Sequence, residues 1–121
     1  MNEKLKILAE EIIKQIPTDE SNIEYSKGVF IVDEVKYTYT EIEEEDIEDE
    51  GKYQYGSTIY GIGLLKEDNS YKIKGDILFY IKQDFSRSGS YYTDYYYTYE
   101  KPYIVKKVEK IIKTIIWEGV V

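Results

Sequence analysis

The 121-residue sequence contains no cysteine and no histidine. The first absence excludes disulfides, thiolate nucleophiles and redox-active thiols. Together they exclude Cys/His zinc sites, histidine bases and Ser-His-Asp triads. No apolar run approaches the ~18 residues of a membrane-spanning helix. The opening Met1-Asn2-Glu3-Lys4 lacks the charged start and long apolar centre of a secretory signal. A cytoplasmic protein is expected, with no membrane contact. No linker, repeat or low-complexity tract divides the chain, so residues 1–121 are expected to form one domain.

Acidic residues are plentiful. Asp and Glu number 24 against 16 Lys and Arg, for a net charge of −8. The imbalance lies in the first half. Residues 1–50 carry 16 acids and 5 lysines, whereas residues 51–121 carry 8 acids and 11 basic residues. This sign opposes binding to DNA, RNA or anionic lipid and favours a partner with a basic surface.

Residues 2–16 show helical periodicity. Leu5, Leu8, Ala9, Ile12, Ile13 and Ile16 share one face, and Pro17 ends the run. Such a wide stripe predicts packing on a sheet. Thereafter the pattern is that of strands. Val29–Val32 and Val35–Thr40 read as a hairpin, and Asp33-Glu34, a poor type I′ pair, points to a turn longer than two residues. Residues 52–65 read as a strand in which Gly56, Gly61 and Gly63 mark a bulge or a close approach. Glu67-Asp68-Asn69-Ser70 is a turn. Asp76–Ile81 is apolar on both faces and is the candidate central strand; Ser86–Ser90 reads as a loop. In residues 91–99, period two sends Tyr91, Tyr95, Tyr97 and Tyr99 one way and Tyr92 and Tyr96 the other. The tail suits a helix through Ile104, Val108, Ile111, Ile112, Ile115 and Ile116, yet its β-branched density favours strand.

Two segments are candidates for function. Residues 41–50 are acidic at eight of ten positions and are expected to form a solvated loop or an extended edge. Three readings apply. Asp46, Glu48, Glu50 and Gly51 match the early places of a calcium loop, but Ser57 stands where a bidentate carboxylate is required. Spaced carboxylates can imitate a nucleic-acid backbone and fill a basic groove. The charge can also protect a sheet edge from pairing. The tyrosine segment offers stiff contact area with polar tips, or equally the margin of a small sheet. Arg87, the one arginine, fits a loop surface or bidentate anion recognition. Gly61-x-Gly63 lacks the third glycine of a dinucleotide site. No carboxylate pair is singled out for acid–base work, so a non-enzymatic protein without cofactor or metal is expected.

The stretch Ser88-Gly89-Ser90-Tyr91-Tyr92-Thr93-Asp94-Tyr95-Tyr96-Tyr97, with Glu100-Lys101-Pro102-Tyr103 and the Trp117-terminated tail, resembles the C-terminal part of small proteins of phages and prophages of Gram-positive bacteria. The resemblance implies a phage accessory protein, β-structure in the tail, and the bacterial host cytoplasm as its location. By analogy, it also implies an inhibitor of a host defence nuclease.

The expected fold is α+β: an N-terminal helix packed on a twisted antiparallel sheet of five to six strands. The expected docking surface joins Glu43, Glu44, Glu45, Asp46, Glu48, Asp49 and Glu50 with Tyr91, Tyr95, Tyr97 and Tyr99. Two alternatives share this chain: an immunity protein that neutralises a toxin, and a small-ligand carrier with Tyr53, Tyr55, Tyr60 and Tyr80 around a pocket. An exposed tyrosine strand could also pair two copies into a homodimer.

Overall fold

The computed structural model describes residues 2–50, 53–89, 96–108, 115 and 117–120, with residues 46–50 described through their backbone. Tyr91, Tyr92, Tyr95, Ile111, Ile112 and Ile116 therefore lie outside the described residues, as do the side chains of Asp46, Glu48, Asp49 and Glu50.

Helix α1 spans Glu3–Ile13. Asn2 caps it by accepting a hydrogen bond from the Leu5 amide at 2.8 Å. The expected stripe faces inward: Ala9, Ile12, Ile13 and Ile16 are buried, and Leu5 and Leu8 pack against them. A short 3₁₀ turn at Ile23–Tyr25, capped by Asn22, follows and buries Ile23.

Among the described residues, six strands form one antiparallel sheet: β1 Phe30–Val32, β2 Val35–Glu50, β3 Tyr53–Leu65, β4 Ile73–Ser88, β5 Tyr96–Tyr99 and β6 Tyr103–Val105. The order is β1-β2-β3-β4-β5, with β6 also on β4, beyond β5 along the same edge. The α+β architecture is as the sequence predicts. The doubly apolar stretch around Phe79 lies in β4, which has neighbours on both sides, while β3 occupies the middle of the order.

One face of the sheet lies under α1. Register places Tyr60 beside Ile81 and Ile62 beside Phe79 on this face. With Phe30, Tyr37 and the helix stripe they make the core. Tyr39 meets Tyr60 edge-on at 5.6 Å, an arrangement favoured by ring quadrupoles. Burial of this kind contributes roughly 1.5–3 kcal/mol per large side chain. Among the described residues, no helix lies on the opposite face, which carries Tyr53, Tyr55, Ile59 and Tyr80.

Three local expectations are corrected. Val32 pairs directly with Val35, so Asp33-Glu34 is a two-residue turn, with both φ values positive at 49° and 68°. The right-handed twist of the flanking strands requires that turn, and it overrides the poor residue preference. Residues 41–50 are not a loop: they continue β2 and pair with β3 through Glu50↔Tyr53. Ser86–Ser88 likewise complete β4 rather than a loop, opposite Tyr55, Gln54 and Tyr53. In the tail, strand is observed at Tyr103–Val105, and Lys106–Val108 carry no regular structure.

The glycines of β3 mark an irregularity. Register slips between Ile62 and Leu64, where β4 bulges through Gly75 at φ +77°. A methyl at Gly63 would sit 2.5 Å from Ile73 Cγ2 and 3.2 Å from the Asp76 carbonyl. One at Gly61 would sit 2.7 Å from Ile77 Cδ1. The bulge therefore lays two isoleucines over bare backbone.

Sheet edges are managed. Outside β1, the Gln15 side chain accepts from the Ile31 amide at 3.3 Å and donates to the Ile31 carbonyl at 3.0 Å. A single side-chain amide thus occupies the ladder position of a further strand. Beyond β5, Asp19 exchanges both backbone hydrogen bonds with Tyr99, at 2.8 and 2.7 Å.

Candidate functional site

β1 covers only the first three residues of β2. Among the described residues, β2 is therefore an edge of the sheet from Thr38 to Glu50, and its acidic half is held extended by β3. The extended-edge expectation stands. The calcium-loop reading does not: backbone 46–50 continues strand β2, paired at 48–50, whereas a calcium loop wraps around its ion. Among the described residues, no group of three or more acidic side chains is arranged to hold a metal.

Two register shifts, between Glu41 and Glu43 and between Glu45 and Glu48, distribute the acids over both faces. Glu44 stands opposite Thr58 and so shares the helix side of the sheet. Glu43 and Glu45 stand opposite Ile59 and Ser57 on the open face. Glu45 is already engaged there. Its carboxylate accepts from Lys82 Nζ at 2.7 Å and from Ser57 Oγ at 3.2 Å. The Lys82 hydrogen bond holds the Glu45 carboxyl below its ordinary value and, reciprocally, raises the Lys82 ammonium.

At the same end of the sheet, β5 brings Tyr97 opposite Arg87 and Tyr99 opposite Phe85. Both rings are on the helix-side face, beyond the region covered by α1. They stack at 5.8 Å with planes 7° apart, and Phe85 lies 6.1 and 6.2 Å from them. Phe85 is buried, Tyr99 is half-buried, and Tyr97 is 38% exposed. Tyr96 points away from this stack and is 77% exposed. The rings therefore neither sink into the core nor stand wholly in solvent.

Arg87 holds this stack in place. Its Nη1 donates to the Tyr97 hydroxyl at 3.1 Å, its Nε donates to Gln54 Oε1, and its guanidinium lies 6.0 Å from the Tyr97 ring centre. It sits in a strand and not on the loop surface the sequence suggests. Burial pushes the Tyr99 phenol up, and Tyr97, Tyr25, Glu24 and Glu44 add to the shift. The acidic strand β2 and the tyrosine strand β5 are separated by β3 and β4. Three strand spacings of about 4.8 Å put them roughly 14 Å apart.

The proposed tyrosine pocket is overturned. Tyr60 is 2% exposed beneath α1, whereas Tyr53, Tyr55 and Tyr80 stand on the other face. Alternation along β3 and β4 separates them, so the four line no common cavity.

Sequence reasoning also missed Gln83, which is 2% exposed. It donates to the Pro17 and Glu100 carbonyls at 3.0 Å each and accepts from the Ile23 amide at 3.4 Å. It joins the chain after α1 to the segment between β5 and β6. The signal was present: Gln83 falls in phase with Phe79, Ile81 and Phe85, the inward positions of β4.

The described residues define a small acidic α+β protein with one sheet face bare of helix, an acidic strand β2 and, across β3 and β4, an aromatic stack on β5. No helix among the described residues is long and apolar enough to cross a membrane. The family model described as Phage T4 Y04K protein matches residues 1–120, and the chain belongs to that family of phage proteins. No curated protein and no solved structure matches the chain significantly.

Proposed function

We propose that this phage protein is a non-enzymatic binder of a protein partner with a basic surface, acting in the cytoplasm of a Gram-positive host. Its partner is a nucleic-acid-binding enzyme of host defence, whose groove it occupies as a mimic. One observation carries this reading: the acidic run is an extended, paired strand and not a loose tether. Ten residues at about 3.3 Å each hold eight carboxylates along roughly 33 Å, one per ~4 Å along the strand and one per ~8 Å on either face. A DNA strand carries one per ~3.4 Å. The stacked Tyr97 and Tyr99, across β3 and β4 from that charge, supply contact area at the same end of the sheet, and Arg87 restricts their freedom before binding.

The test is capture from host lysate on immobilised protein, followed by competition. A specific partner should be lost steeply as salt rises and should be displaced by duplex DNA. Combined Glu43→Gln, Glu44→Gln and Glu48→Gln should abolish capture while circular dichroism stays unchanged. Glu45 is left intact in this variant because its ion pair is internal. A complex indifferent to ionic strength, or to DNA, refutes the mimicry.

A further inference from the structure

The sheet face away from α1 holds a groove of about 390 Å³, a size that takes one small molecule. Its floor is apolar. Ile59 of β3 and Tyr80 of β4 are half-buried there, and Val105 of β6 stands opposite Tyr80. The register shift between Glu41 and Glu43 adds Ile42 from β2, and Val108 adds to the floor beyond β6. The groove therefore runs across the strands, from β2 over β3 and β4 to β6. Three strand spacings make that roughly 14 Å.

Its charges run against those of the chain as a whole. In a protein of net charge −8, two lysines and one glutamate line the groove. Lys106 and Lys107 are exposed at the β6 end. Lys82, on the same face, is neutralised by Glu45. Among the described residues, Lys106 and Lys107 have no such ion-pair partner. The carboxylate, Glu43, belongs to β2 at the far end. The groove is thus positive at one end, apolar along its length and negative at the other.

We propose that this groove binds one aliphatic carboxylate, a free fatty acid of medium chain length. Its alkyl chain lies over Val105, Tyr80 and Ile59 toward Ile42, and Lys106 and Lys107 hold its carboxylate. Each feature of the groove selects this class. A hydrophilic anion such as phosphate would leave the floor in water, and a cationic amphiphile would meet two ammonium groups. The two lysines offer a carboxylate charge-assisted hydrogen bonds. Glu43 sets the direction, because a carboxylate at its end would meet like charge. The net charge opposes an extended anionic surface such as a bilayer, but most of it lies beyond a Debye length of about 8 Å from a single small anion at the lysine end. A straight chain of roughly ten to twelve carbons covers the ~14 Å. This site is independent of the docking surface proposed above.

The experiment is isothermal titration of the full chain with decanoate, kept below its micelle concentration. Expected is one saturable site per chain, weakened by added salt. Affinity should rise about twofold to fourfold per methylene up to dodecanoate. Acetate, the head without the chain, should not bind measurably. Decyltrimethylammonium, the chain with the opposite charge, should bind at least about tenfold more weakly. Combined Lys106→Gln and Lys107→Gln should weaken decanoate at least about tenfold, and Ile42→Ser at least about threefold. Trp117→Ser, at an exposed apolar residue outside the groove, should leave binding unchanged. All four positions are exposed, so unchanged circular dichroism is expected. Four outcomes overturn the proposal. They are no saturable decanoate binding, equal affinity for the cationic amphiphile, full binding by the lysine or Ile42 variants, and loss of binding in Trp117→Ser. Binding to anionic phospholipid vesicles without binding of monomeric decanoate would replace the fatty acid with a membrane and overturn it as well.

Discussion

Replacing Gln83 with leucine tests how the fold is tied together. The two side chains have similar volume, so packing changes little. Hydrogen bonding changes completely. The Pro17 and Glu100 carbonyls each lose a donor at 3.0 Å, and the Ile23 amide loses an acceptor at 3.4 Å. A buried polar group left without a partner costs about 1–3 kcal/mol. Water can reach Glu100, which is exposed, and the Ile23 contact is the longest of the three. The apolar gain of leucine offsets a further part. A net destabilisation of about 2–4 kcal/mol follows. With about 2.1 cal/mol/K of unfolding entropy per residue, 1 kcal/mol corresponds to roughly 4 °C in a chain of this length, so Tm should fall by about 8–16 °C. Urea unfolding measures the free energy directly, with the m-value expected to stay constant. Hydrogen exchange should show early loss of protection at the Ile23 amide. A leucine variant within about 0.5 kcal/mol of the parent would show that Gln83 acts as filling and not as a tie.

Further outcomes follow from the same geometry. Gly63→Ala forces a methyl onto Ile73 and the Asp76 carbonyl and should cost about 1–3 kcal/mol in urea unfolding; an unchanged midpoint would mean that the bulge adjusts freely. Gln15→Ala uncovers the Ile31 backbone on the outer edge of β1, and light scattering should register self-association above the parent's as concentration rises; the absence of any such increase would remove the edge-capping role. The Glu45 carboxyl is lowered in the folded state, so its contribution is present above the ordinary carboxylate value and is lost as pH falls through the folded one. Lys82 is raised, so its share is present below the ordinary lysine value and is lost as pH rises through the folded one. Lys82→Met should therefore flatten the acid limb of the stability profile, and an acid limb identical to the parent's would contradict the ion pair.

The regularities that are local in the chain were legible in the sequence. The α1 stripe follows from the spacing of Leu5 to Ile16, because a helix repeats every few residues whatever it packs on. The strands, and the bulge near Gly63, follow from alternation and its interruption. Function was legible only as composition: a negative front half and a tyrosine-rich stretch. The tertiary structure decided everything that depends on a neighbour distant in sequence. Glutamate and aspartate disfavour strands, yet the ladder with β3 draws residues 43–50 into β2, because each pairing satisfies backbone groups that a loop would leave to water. The same pairing separates Tyr60 from Tyr53, Tyr55 and Tyr80. It puts Arg87 under Tyr97, and Lys82 against Glu45, 37 residues away. Periodicity assigns a residue to a face, but which face is covered, and which charges meet across it, depends on contacts that no local window contains.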